Sequence, residues 1–209
     1  MTATMTHRAA VVVAHKINQH MTTPKEGVAF KKIVLGVEIL FINISKLTIL
    51  VALAAILGVL PQTILALIGF NALRCTAAGV HAESKYGCII TSTILMVIVP
   101  FFTWGIYIPR SATVIIFALI FIAMWKYAPM DTKSRPLLGQ KKREMLKLVS
   151  MVTSVVIAAF LIVSPFQEAN FMVILGAVYA TVAILPATYK LLNREVNNYE
   201  KYEHNKQNS

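Results

Sequence analysis

Three side chains capable of chemistry lie at intervals of seven near the middle of the chain: Arg74, His81 and Cys88. A cysteine needs a nearby base or positive field to become a nucleophilic thiolate near neutral pH, and an imidazole within hydrogen-bond distance provides both. His81 is the only histidine between the N-terminal segment and the C-terminal tail. These residue types indicate thiol chemistry, with Cys88 as the nucleophile and His81 as its base.

The spacing of this pair sets a condition on the backbone. On an unbroken helix, residues seven apart are separated by about 10 Å along the axis, which is too far for proton transfer. Gly79 and Gly87 provide two places where the helix can break. We therefore expect a helix to end near Gly79, with His81 in a turn and Cys88 in the first turn of the next helix. There, the positive end of the helix dipole favours a thiolate.

The same residues also have less specialised interpretations. A cysteine is often buried as a small hydrophobic residue, and a loop histidine is usually solvated. Cys75 is predicted to pack inside the protein, because no partner lies at a comparable break. Arg74 is either an interfacial anchor or a clamp for a substrate carboxylate or a developing oxyanion. Glu83 either orients His81 or is solvated.

Composition places these residues in a membrane protein. Hydrophobic residues make up 57% of the chain and charged residues 14%, whereas soluble domains carry about 25% charged residues. The net charge of +11 comes from Lys and Arg blocks that alternate with apolar runs, a pattern typical of polytopic membrane proteins. The composition predicts an all-α polytopic membrane protein with free thiols and no nucleic-acid partner.

The apolar runs predict about six transmembrane helices in a single integral membrane domain. An amphipathic helix within residues 1–21 is expected on the membrane surface, the transmembrane bundle spans residues 33–189, and residues 190–209 form a cytosolic tail. Pro100 is expected to kink the third run, Gly176 and Ala180 permit close helix contact, and Pro61 to Thr63 form a turn. The runs are 33–60, 64–73 extended to about 80, 89–108, 112–125, 148–163 and 171–185.

The distribution of positive charge predicts the orientation. With the N-terminus in the cytosol and six crossings, the cytosolic segments carry eighteen Lys and Arg residues, and the outer connections carry only Arg110. Seven of the eighteen lie between residues 126 and 147, which are predicted to form a basic loop. Cytosolic loops of membrane proteins are enriched in Lys and Arg. This orientation places Arg74, His81 and Cys88 at the cytosolic face of the cell membrane.

The triplet resembles that of the accessory gene regulator B family (AgrB), which are membrane cysteine endopeptidases of Gram-positive quorum sensing. The likeness rests on Arg74, His81 and Cys88, with Ala78-Gly79 just before the histidine. It extends to the basic central loop, through Tyr127-Ala128-Pro129, Asp131-Thr132 and Pro136, and covers nearly the whole chain. Family members often carry Gly-Gly and an aromatic residue before the histidine, where this chain has Ala78-Gly79-Val80.

The resemblance implies an enzyme that processes a pheromone precursor of the AgrD type, with an amphipathic leader, a short core and an acidic tail. Cys88 would attack the peptide bond after the core, and His81 would act first as base and then as acid toward the leaving amine. A core cysteine would then displace Cys88 and close a thiolactone ring. Membrane lipids are further predicted partners, and a homodimer is left open.

Substrate contacts are predicted at Arg74 and in the basic loop at Lys141, Lys142 and Arg143. The cationic loop is suited to attract an acidic tail, but membrane topology and attraction to anionic lipids explain the same charges. Two other functions stay open. A peptide exporter without peptidase activity would use Glu38, Asn43 and Lys46 as a polar path, and a structural membrane partner would need neither His81 nor Cys88. The sequence carries no metal, nucleotide or haem motif, and no cofactor is predicted.

Overall fold

The computed structural model describes residues 5–21, 26–80, 85–132, 137–196 and 198–200, and these are almost entirely helical. The predicted all-α class is confirmed. Contacts divide the chain into two compact units, residues 1–53 and residues 54–209. The elements in chain order are α1 (Met5–Gln19), α2 (Gly27–Ile56), α3 (Leu60–Ala77), α4 (Lys85–Thr93), a π-helical segment (Ile94–Ile98), α5 (Val99–Thr103), α6 (Arg110–Tyr127), α7 (Gln140–Val163), α8 (Gln167–Val182) and α9 (Pro186–Leu191).

Three of the described helices are long and apolar enough to cross a membrane. They are residues Ala29–Ile56 within α2, the whole of α6, and the whole of α7. A shorter apolar helical stretch, Gly87–Thr103, lies between the first two. A span requires about 20 residues at a rise of about 1.5 Å each. These helices identify a membrane protein, and the number of six crossings stays a prediction.

In the first unit, α1 packs on the beginning of α2. Ala10 and Ala14 are fully buried, and their small side chains contact Val34 and Val37 of α2. This arrangement follows from the amphipathic pattern of α1, whose small apolar residues recur four positions apart. The His7 Nδ1 atom lies 3.4 Å from the Glu38 Oε2 atom. Glu38, an ionisable residue within the first apolar run, therefore faces a side chain of α1.

In the second unit, α3 and α8 meet backbone to backbone at two glycines. A Cβ atom on Gly69 would overlap the carbonyl oxygen of Val173, and one on Gly176 would overlap the carbonyl oxygen of Ala66. Small residues at a helix interface allow this close approach. The predicted close contact at Gly176 is confirmed. The crossing holds α3 and α8 together in the unit that contains Arg74 and Cys88.

Two predicted segments have different boundaries in the structure. The turn predicted at 61–63 is wrong: the turn lies at 57–59, where Gly58 has a φ of +71°, and Pro61 belongs to α3. Proline is tolerated in the first helical turn because those N–H groups have no partner in the helix. The basic segment 126–147 is also not one loop, since α7 begins at Gln140. Its Lys, Arg and Glu residues are good helix formers.

The third apolar run is shorter and less regular than predicted. It ends at Thr103 instead of Ile108, because Trp104 takes an extended conformation (ψ 138°). Just before Pro100 the chain forms the π-helical segment, in which the Val99 N–H donates to the Ile94 carbonyl. Proline lacks an N–H and disturbs the regular helical ladder, and π-bulges commonly absorb such irregularity. The structure thus has a π-helical segment just before Pro100, and the kink predicted there stays a prediction.

Candidate functional site

The helix break predicted near Gly79 is present. Helix α3 ends at Ala77, and Ala78 and Gly79 both have positive φ angles of 55° and 109°. A Cβ atom on Gly79 would collide with Arg74 Nη1 and would lie 2.7 Å from the Ala183 carbonyl oxygen and 2.9 Å from Ile184 Cγ2. Both the conformation and the crowding therefore require glycine at this position. The chain leaves α3 here and enters the segment that leads to His81.

Arg74 fastens the backbone that follows its own helix. Its Nη1 atom donates to the Ala78 carbonyl at 2.6 Å, and its Nη2 atom donates to the carbonyls of Gly79, at 3.0 Å, and of Val80. The planar guanidinium, with several donors in a fixed fork, suits this contact with successive carbonyls. The structure thus shows Arg74 bound to the main chain just before His81. Its predicted contact with substrate stays a prediction.

Two other chain segments hold the same stretch through main-chain hydrogen bonds. The Gly79 N–H donates to the Met130 carbonyl at 2.9 Å, and the Met130 N–H donates to the Ala77 carbonyl at 3.0 Å. The Val80 N–H donates to the Ala183 carbonyl, just after α8, at 3.0 Å. Residues 78–80, which we call the bracing segment, are therefore tied to α3, to the loop after α6 and to the end of α8. These ties extend to the last described residue before His81.

Cys88 lies in the first described turn of the helix that follows the break, and its predicted place at the start of that helix stays a prediction. It lies in α4 (Lys85–Thr93) and is half-buried. An anionic Cys88 sulfur would be attracted by the Arg74 guanidinium, so the same cation binds the bracing segment and acts electrostatically on the thiol. His81 and Glu83 lie outside the described residues. The structure brings Arg74 and Cys88 together, and the pairing of His81 with Cys88 stays a prediction.

Cys75 does not have the packed environment that was predicted for it. Its side chain is exposed, and neither it nor Cys88 forms a disulfide. The reason is its place on the helix: Leu73 and Ala77, two positions away on either side, are fully buried. Positions two apart on a helix point to nearly opposite sides. Cys75 is therefore an accessible thiol that differs from Cys88 in its surroundings.

Asp131 has a structural role that the sequence did not reveal. It is 3% exposed, and its carboxylate accepts hydrogen bonds from the backbone N–H groups of Asn198 (3.0 Å) and Tyr199 (2.8 Å). Its carbonyl oxygen accepts a hydrogen bond from the Tyr189 hydroxyl at 2.9 Å. Burial raises the pKa of the Tyr189 phenol above its usual range. The sequence signals were its place in the Asp131-Thr132 pair of the family likeness and its position as a lone carboxylate among the basic residues after α6.

The three basic residues predicted to contact substrate lie at the start of α7. Lys141 and Lys142 are exposed. Arg143 donates from Nη1 to the Leu137 carbonyl at 3.0 Å, and its guanidinium lies 3.8 Å from the centre of the Tyr199 ring. A cavity of about 400 Å³ opens beside them, lined by three cationic side chains and one carboxylate, Lys126, Arg143, Lys147 and Glu144. Arg143 is thus part of the protein's own packing, whereas Lys141 and Lys142 project outward.

Together the fold and the site define a class: an all-α membrane protein in which a half-buried cysteine opens a helix across a braced break. Comparison with known proteins identifies the family. The family described as Accessory gene regulator B matches residues 10–185, and the chain belongs to it.

Individual relatives support this assignment. A putative AgrB-like protein from Clostridium acetobutylicum is 33% identical over 94% of this chain and 93% of its own length. Another from Listeria innocua is 34% identical, over 83% and 85%. An accessory gene regulator protein B from Staphylococcus carnosus is 31% identical, over 81% and 88%. No solved structure matches the chain. Family membership supports a role in the accessory gene regulator quorum-sensing system.

Proposed function

We propose that this protein is a membrane cysteine endopeptidase that removes the C-terminal tail of an AgrD-type pheromone precursor. The observation that carries the proposal is the position of the half-buried Cys88 in α4, the helix that follows the break braced by Arg74. Reactive cysteines are typically found near helix N-termini and near cations, and the thiolate is the reactive form of cysteine.

The bracing segment supports the assignment of the base. A general base must lie within hydrogen-bond distance of the group it deprotonates, so its backbone has to be held in place. Arg74, Met130 and Ala183 bind residues 78–80 up to the residue before His81. This number of contacts on three consecutive residues suits a segment that positions a catalytic side chain. We assign His81 as that base.

The proposed reaction proceeds through an acyl-thioester. The Cys88 thiolate attacks the carbonyl carbon of the bond after the core, the carbon–nitrogen bond breaks, and the protonated His81 gives its proton to the leaving amine. The tail departs, and the core stays attached to Cys88. A cysteine thiolate of the core then attacks this thioester, which forms the thiolactone ring and releases the Cys88 thiolate. The exchange replaces one thioester by another and needs no further energy source.

We assign binding of the acidic tail of the substrate to the exposed cations at the start of α7. Lys141 and Lys142 project from the start of α7, next to the cavity lined by Lys126, Arg143 and Lys147. Opposite charge attracts an acidic tail and speeds its encounter with the enzyme. Arg74 would act on the reacting carbonyl by stabilising developing negative charge. In the proposed orientation, this surface and Cys88 face the cytosol.

The experiment compares the two cysteines of the chain. Precursor is co-expressed with the parent, with Cys88→Ala, with Cys88→Ser and with Cys75→Ala, and released tail is quantified by mass spectrometry. We expect tail release to fall at least about 1,000-fold in both Cys88 variants, because the nucleophile is lost. The Cys75→Ala control is expected to stay within about twofold, since that thiol is exposed and makes none of the described side-chain contacts with the bracing segment. Parental tail release by Cys88→Ala would refute the peptidase and favour an exporter.

A further inference from the structure

The Asp131 carboxylate joins the C-terminal part of the chain to the loop after α6. Oδ1 accepts from the Asn198 backbone N–H at 3.0 Å and from Asn198 Nδ2 at 3.4 Å, and Oδ2 accepts from the Tyr199 backbone N–H at 2.8 Å. Asn198 is 1% exposed. A buried carboxylate is stable only when it is hydrogen-bonded, and backbone N–H groups are suitable donors. Residues 198–199 therefore serve as the partner of this charge.

The neighbouring residue links Asp131 to the bracing segment. Met130 exchanges main-chain hydrogen bonds with Ala77 and Gly79, directly before Asp131 in the chain. The Tyr189 hydroxyl holds the Asp131 carbonyl. The path from the C-terminal segment to Gly79 thus runs through one carboxylate and one peptide unit. A shift of Asp131 would move Met130 and, with it, the carbonyl that binds Gly79.

We propose that Asp131 is a positioning residue, and that Asp131 and residues 198–199 together fix the bracing segment that leads to His81. The inference rests on the proposed function, because it concerns the same site. Asp131 acts through Met130 and Gly79 and does not itself meet the substrate. The C-terminal segment, which the sequence suggested was a simple polar tail, then carries part of the architecture of the site.

Two kinds of variant separate the carboxylate from its donors. Asp131→Ala removes both acceptors, whereas Asp131→Asn keeps one oxygen and turns an amide N–H₂ toward a donor. A chain ending at Val196 keeps Asp131 but removes the donors of residues 198 and 199, and a chain ending at Glu200 is its matched control. A buried charge without partners destabilises a protein more than a buried alanine does. Adding Asp131→Ala to the chain ending at Val196 should therefore restore part of the stability that the truncation loses.

The first measurement is hydrogen exchange, which requires no substrate. In Asp131→Ala and in the chain ending at Val196, we expect the amides of Gly79, Val80 and Met130 to exchange at least about tenfold faster, because local opening governs exchange. Asp131→Asn should fall between these and the parent. Amides in the centres of α3 and α8 should keep parental rates, and the chain ending at Glu200 should match the parent throughout.

The second measurement is the kinetics of tail release. We expect kcat to fall about tenfold with KM changed less than about twofold, because misplacement affects the chemical step and not substrate contact. Parental exchange at Gly79 and Val80 in Asp131→Ala would overturn the proposal, and so would faster exchange spread equally over α3 and α8. If the parent itself released no tail, the proposed function would fail, while the exchange data would still decide whether Asp131 braces residues 78–80.

Discussion

The loops at the two ends of the second unit are held in different ways. At one end, hydrogen bonds join segments that are far apart in the chain. These segments are residues 78–80, residues 130–131, Ala183, Tyr189 and residues 198–199. At the other end, the connections 104–109 and 164–166 form described hydrogen bonds that stay local, such as Ile106 N–H to the Thr103 carbonyl and Phe166 N–H to the Ser164 hydroxyl. Long-range bonds fix several segments relative to one another. The first end is therefore the one built to hold a geometry.

Two glycines, one at each end of the second unit, show the same difference between the two ends. Gly79 and Gly105 both follow a helix end with positive φ, 109° and 86°. A Cβ atom on Gly79 would meet Arg74, Ala183 and Ile184, whereas one on Gly105 would meet no described heavy atom within 4 Å. The backbone strain of an alanine is similar at both positions, about 1–2 kcal/mol. Only the crowding distinguishes them.

The largest expected effect is therefore at Gly79. We predict that Gly79→Ala lowers tail release at least about 100-fold, because a displacement of the bracing segment of about 1 Å moves a catalytic group out of place. Gly105→Ala should lower it less than about threefold, since it adds strain in open space. Single-turnover release, normalised to inserted protein, measures both. Similar losses of tail release in the two variants would mean that backbone strain alone matters. The end of the unit that contains Gly79 would then have no special function.

An intermediate effect is expected at Arg74. Arg74→Lys keeps the positive charge but replaces a fork that binds three carbonyls by a single ammonium, and such a substitution is not conservative. We predict about a tenfold to 100-fold fall in kcat for tail release, from the loss of charge-assisted hydrogen bonds worth about 1.5–3 kcal/mol each. Arg110→Lys, at the start of α6, is the matched control. Full activity of Arg74→Lys would show that only its charge is needed.

The smallest effect is expected at the exposed lysines of the same end. Lys141→Gln with Lys142→Gln removes two cations that carry none of the described bracing contacts. We predict a two- to fivefold rise in KM with little change in kcat, and a loss of this difference at high salt, because exposed charges are screened. Arg143 is left in place, since its contacts with Leu137 and Tyr199 would confound the test. Unchanged kinetics at low salt would rule out substrate steering by these lysines. Membrane topology would then remain as the explanation for their charges.

Periodicity and local breakers made part of this structure predictable. Apolar runs indicated where helices lie, Gly79 indicated the break, and Gly176 indicated a close helix contact, because each of these is a property of residues near one another in the chain. The bonds from Met130 to Gly79, from Ala183 to Val80 and from Asn198 to Asp131 join segments that are 51 to 103 positions apart in the chain. Such pairings leave no periodic pattern in one sequence. Arg74 illustrates the limit: the sequence did not reveal that its side chain binds the main chain of residues 78–80.

The central claim is that Cys88 becomes covalently attached to the precursor. The direct test is to incubate the parent chain with a precursor whose core cysteine is replaced by alanine, so that nothing in the core can displace the thioester, and to map the adduct by mass spectrometry. We predict a hydroxylamine-sensitive adduct on Cys88, equal in mass to the precursor without its tail, and none on Cys75. Tail release without any adduct on Cys88, at a rate that Cys88→Ala reproduces, would contradict the mechanism.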